Sequence, residues 1–148
     1  RVLDRYPDVK AVYPVHLNPQ VRKVVDEVFA GCENIRLTEP LDIVEFHNLM
    51  AHSYMVLTDS GGIQEEAPSL HKPVLVMRED TERPEGLEAG TLRLVGIEEE
   101  EVFRACCELL DDPVEYHRMS TAINPYGDGN AAIKIADIIE KQIFAVDC

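Results

Sequence analysis

A chain of 148 residues with 45% apolar side chains is long enough to bury one core, so the expectation is a single domain over residues 1–148. Its net charge of -14 argues against a nucleic-acid partner, because that binding draws on a basic surface. No apolar run reaches the length of a membrane span and Arg1-Val2-Leu3-Asp4-Arg5 lacks a signal peptide's apolar stretch, so a cytoplasmic protein without a membrane partner is expected.

Residues 11–15, A-V-Y-P-V, are short and β-rich, and read as a strand ending at His16. Asn18 as N-cap and Pro19 at the first helical position then start a helix, with Val21, Val24, Val25, Val28 and Phe29 at helical spacing and Gly31 closing it. Residues 35–38 form a second strand, and Pro40-Leu41-Asp42 opens a helix whose apolar stripe is Ile43, Phe46, Leu49 and Met50. Strands follow at residues 54–58 and 73–77, then a polar loop over 78–85 and a last strand at 91–95. The acidic run 98–101 suits a helix amino terminus, where the peptide dipole favours carboxylates; Val102, Cys106, Leu109 and Leu110 form that helix's stripe. A short helix over 113–119 and a loop over 124–129 lead to a final helix with Ala132, Ile135, Ala136, Ile139 and Ile143 facing inward.

Strands apolar on both faces and alternating with helices imply a Rossmann-like α/β fold, a parallel sheet covered on each side. Ligands of such sheets sit beyond the carboxyl ends of the strands, which gathers His16, residues 38–40, residues 60–62 and residues 78–84 onto one edge.

The most informative stretch is L-T-D-S-G-G-I-Q-E-E-A-P at residues 57–68, a strand, a tight turn and a helix. Free N–H groups at a helix start, with roughly half a positive charge from the aligned dipoles, hold a phosphate without a lysine. Gly61 and Gly62 would let the backbone come close to such a ligand, and Ser60 would cap the helix or donate to a phosphate oxygen. Glu65 and Glu66, one turn later, offer carboxylates to ribose hydroxyls. The competing reading makes Ser-Gly-Gly a plain turn and the glutamates a solvated face.

Cys32, Cys106, Cys107 and Cys148 include no C-x-x-C pair and read as reduced packing residues. His47, His52, His71 and His117 have no metal-binding or catalytic spacing and read as surface or structural groups.

Several strings in one order carry a resemblance: Y-P-V-H-L-N-P at 13–19, residues 57–70, K-P-V-L-V-M at 72–77, T-E-R-P-E at 81–85, A-G-T at 89–91 and N-P-Y-G-D-G at 124–129. Together they resemble the non-hydrolysing UDP-N-acetylglucosamine 2-epimerases, over nearly the whole chain. The chain departs from the family pattern at Glu79-Asp80, where Asp then Thr is usual.

The resemblance implies one half of a GT-B-like two-domain fold, the carboxyl-terminal UDP-binding domain, with the amino-terminal catalytic domain and the first central strand outside residues 1–148. It implies UDP, UDP-GlcNAc and UDP-ManNAc as ligands, no redox cofactor, no metal, and a homodimer. In its terms Ser60, Gly61 and Gly62 bind the diphosphate, Glu66 binds ribose, Phe46 packs near the uracil, and His16 and Arg83 face the cleft. Phe46 equally fits a core stripe, His16 a hydrogen-bonded strand end, and Arg83 a loop staple to Glu82 or Glu85. No residue here is assigned as the catalytic base, Glu65 included. The alternatives are the donor-binding domain of a GT-B glycosyltransferase and a non-catalytic nucleotide-sugar-binding module.

Overall fold

The computed structural model describes residues 1–144. Helix α1 (Val2–Arg5) is followed by β1 (Ala11–Pro14), α2 (Pro19–Phe29), β2 (Ile35–Thr38), α3 (Ile43–His52), β3 (Val56–Thr58), α4 (Gly61–Ser69), β4 (Val74–Val76), α5 (Pro84–Ala89), β5 (Leu92–Leu94), α6 (Glu99–Asp111), α7 (Pro113–Ser120) and α8 (Ala131–Phe144). The five expected strands are present, each within a residue or two of its expected bounds. Two short helices were not expected: α1, and α5, which takes over the end of the polar loop at Pro84. Pro84 fits there because the first helical residue needs no N–H.

All strand pairs are parallel, but they form two sheets, β1-β2 and β3-β4-β5. In the larger sheet β4 is central and buried on both faces. Leu75 points into a cluster with Val95, Ala105, Cys106, Leu109 and Met119, beneath α6 and α7. Val74 and Val76 point the other way, into Met50, Ala67 and Leu92, beneath α3, α4 and α5. Alternation of side chains along a strand produces this division, and each fully buried side chain contributes about 1.5–3 kcal/mol.

The smaller sheet has no comparable cover. Val12, Tyr13 and Leu37 are exposed, while Val15 and Val25 are buried. The N–H groups of Ala11 and Val15 donate to the carbonyls of Asn34 and Thr38. Backbone polarity alternates along a parallel strand, so Val12 and Pro14 turn theirs to the side away from β2. On β3, Val56 donates to Pro73 and Thr58 accepts from Met77, which leaves the backbone of Leu57 on the side away from β4. Among the described residues, neither of these two edges has a strand partner.

Two packing expectations fail. The side chains of Ala132, Ile135, Ala136, Ile139 and Ile143 on α8 are all exposed, because no described element packs over that helix. Cys106 and Cys107 are buried as expected, Cys32 is exposed, and Cys148 lies outside the described residues.

Candidate functional site

The chain leaves β3 at buried Thr58, whose Oγ1 accepts from the Ser60 N–H at 3.0 Å and fixes the bend into α4. Ser60 occupies the N-cap position with extended backbone, yet its hydroxyl caps nothing. Asn18, Asp42 and Asp112 do cap α2, α3 and α7 with side-chain oxygens. The leading N–H groups of α4 therefore lack a side-chain acceptor, and Ser60 and Gly62 are open to solvent.

The two glycines are not explained by the protein's own geometry. Neither has a positive φ. A Cβ on Gly61 would meet nothing within 4 Å, and one on Gly62 would meet only Glu66 Oε1 at 3.8 Å. Gly86 shows the opposite case: a Cβ there would come within 2.4 Å of Leu92 Cδ1, so internal packing demands that glycine. At Gly61 and Gly62 the space a Cβ would fill is open beside the first turn of the helix, the part of a helix that favours an anion.

Behind the turn lies Gln64, fully buried, whose Nε2 donates to the Ser60 carbonyl at 3.2 Å and whose Oε1 accepts from Thr81 Oγ1 at 2.5 Å. Thr81 Oγ1 in turn accepts from the Arg83 N–H at 3.1 Å. Arg83 donates through Nε to the Glu65 carboxylate and through Nη1 to the Glu82 carbonyl at 3.1 Å. Its staple is thus Glu65 rather than the expected Glu82 or Glu85 side chain. The Glu65 carboxylate holds the Arg83 guanidinium even more firmly protonated than usual. Glu82 instead pairs with Arg78 at 3.0 Å, which draws its carboxyl below the ordinary range. The Thr81–Gln64 and Arg83–Glu65 bonds tie residues 81–83 to the first turns of α4, so these two of the loops expected on one sheet edge do meet.

Glu66 is half-buried one turn into α4, and its Oε2 lies 3.0 Å from His47 Nε2 on α3. Phe46, next to it, is half-buried against the cluster of Met50, Ala67, Val74, Val76 and Leu92. His16 is exposed at the end of β1, with Nδ1 accepting from the Asn18 N–H at 3.1 Å. Among the described residues no hydrogen bond joins His16 to the turn. No group of three metal-ligating side chains occurs among them either.

Sequence reasoning missed Gln64, Thr81 and His47. Gln64 could have been found, because it shares a helical face with Ala67 and Pro68, both buried. Nothing local marks His47, whose partner lies 19 residues away.

Parallel strands with helices on both faces and an open glycine turn beyond a strand end define a Rossmann-like domain, one half of a GT-B-like fold. The model of the UDP-N-acetylglucosamine 2-epimerase family matches residues 1–140, and the chain belongs to that family. A Bacillus subtilis UDP-N-acetylglucosamine 2-epimerase is 54% identical over 93% of this chain and 36% of its own length. S. aureus MnaA, solved with UDP, superposes with a TM-score of 0.90 at 53% identity, over 97% of this chain and 39% of that one. The Neisseria meningitidis UDP-GlcNAc 2-epimerase bound to UDP-GlcNAc gives 0.88 at 45% identity, over 95% of this chain and 38% of that one. The chain spans little more than a third of the length of these relatives.

Proposed function

We propose that this chain is the UDP-binding domain of a UDP-N-acetylglucosamine 2-epimerase, acting on UDP-GlcNAc and UDP-ManNAc. The observation that carries the reading is the start of α4: uncapped, solvent-open, and cleared of Cβ atoms for no internal reason. The N–H groups behind Ser60, Gly61 and Gly62 hold the diphosphate, and Glu66 takes the ribose hydroxyls. Phe46 lies on the neighbouring helix for the base, and His16 and Arg83 line the cleft. The UDP and UDP-GlcNAc present in the S. aureus and N. meningitidis relatives are ligands of this kind.

In this reading a base takes the proton from C2 of the sugar, the C1–O bond to UDP breaks, and re-addition of proton and UDP inverts C2. UDP must stay bound while the sugar is a glycal, and that is this domain's task. The family resemblance assigns the proton-transfer groups to an amino-terminal domain outside residues 1–148, and the Glu65 carboxylate here is engaged by Arg83. A further parallel strand from that polypeptide would pair with the open edges of β1 and β3. A cytoplasmic setting, a dimeric assembly and a role in polysaccharide biosynthesis complete the proposal. Neither the glycosyltransferase nor the non-catalytic alternative has an observation that favours it.

The test is calorimetry on the full polypeptide with UDP. A Gly61→Val substitution, whose Cβ has free space, should leave the melting temperature in place and weaken UDP at least about tenfold by blocking the turn. Unchanged affinity overturns the nucleotide reading. Folded enzyme that does not exchange the C2 proton of UDP-GlcNAc with deuterated solvent overturns the epimerase reading.

A further inference from the structure

Glu65 and Glu66 are adjacent in sequence and chemically alike, yet they are held by different partners. Glu65 is bound by the Arg83 guanidinium, a fixed charge with several donors. Glu66 faces a single imidazole nitrogen, His47 Nε2, at 3.0 Å from its Oε2. A carboxylate only accepts, so Nε2 carries the hydrogen and His47 donates. One Glu66 oxygen is thereby fixed, while Oε1 is left beside the open Gly62 Cα, with 3.8 Å to the position a Cβ would take. The carboxylate lies beside the second glycine of the turn, half-exposed, and among the described residues no arginine pairs with it.

We infer that His47 is a positioning residue, which holds Glu66 in the rotamer that receives the ribose diol. This rests on the UDP reading above and deepens it. A free glutamate side chain must surrender several rotatable bonds when it grips a hydroxyl pair, and a neighbour that fixes it beforehand removes part of that cost from binding. The contact spans α3 and α4, so it also couples the ribose carboxylate to the helix that bears Phe46.

Affinities of UDP and of 2′,3′-dideoxy-UDP are measured on the full polypeptide for the parent, His47→Ala, His47→Gln, Glu66→Ala and the double variant His47→Ala/Glu66→Ala. His47→Ala should weaken UDP about three- to tenfold and leave the dideoxy ligand unchanged. His47→Gln, whose amide can donate from nearly the same place, should recover much of the loss. On the Glu66→Ala background, removal of His47 should cost nothing further. Equal weakening of both ligands by His47→Ala, or no weakening of either, overturns the inference while a weak Glu66→Ala variant leaves the ribose reading standing. If Glu66→Ala binds UDP as the parent does, the ribose reading falls and this inference falls with it.

Discussion

The three-stranded and two-stranded sheets use the same strand-helix grammar and reach opposite states of burial. Leu75 in β4 is 0% exposed and touches α6 and α7, whereas Val12 in β1 is 42% exposed. β4 gains its cover from both directions along the chain, α3 and α4 before it on one face and α6 and α7 after it on the other. β1 has β2 on one side and no described strand on the other, so the same kind of apolar residue is left at the surface. An apolar pattern specifies that a face wants cover; whether cover arrives depends on what else the polypeptide brings.

The largest effect should come from Leu75→Ala, which removes a fully enclosed side chain and should destabilise by about 2–5 kcal/mol in urea denaturation. Val12→Ala in residues 1–148 alone should cost less than about 0.5 kcal/mol. The same Val12 change in the full polypeptide should cost more if a strand covers that edge, and equal costs would break the comparison. Next comes Gly86→Ala, whose Cβ meets Leu92 and Tyr126 and should cost about 1–3 kcal/mol in the same assay.

The smallest effect is one of reactivity. Burial pushes the Cys106 thiol up to about 11, whereas Cys32 lies exposed between α2 and β2. At pH 8 a maleimide should label Cys32 at once and Cys106 at least about a hundredfold more slowly, through opening of the domain. Because the folded thiol titrates above its unfolded value, its contribution to stability is full below pH 9.0 and is lost as pH rises toward 11. Cys106→Ala should flatten that stretch of a stability-against-pH curve.

Local signals recovered the strands and most helices because caps and turn residues act within a few positions. Asn18 and Pro19 start α2, and Asp42 starts α3. The turn at Ser60-Gly61-Gly62 was legible for the same reason. What escaped depends on contacts between distant segments: Gln64 reaching Thr81, His47 reaching Glu66, and Arg83 choosing Glu65. The inward face assigned to α8 failed for a related reason, since periodicity identifies a stripe and cannot supply its neighbour.

Pro14 gives the open side of β1 a further property. Its ring nitrogen carries no hydrogen and points away from β2, so any visiting strand finds Val12 as a donor and then a gap. The blank position rations adhesion: an intended neighbour with good side-chain fit tolerates one missing bond, while haphazard stacking of identical copies loses a rung at every junction.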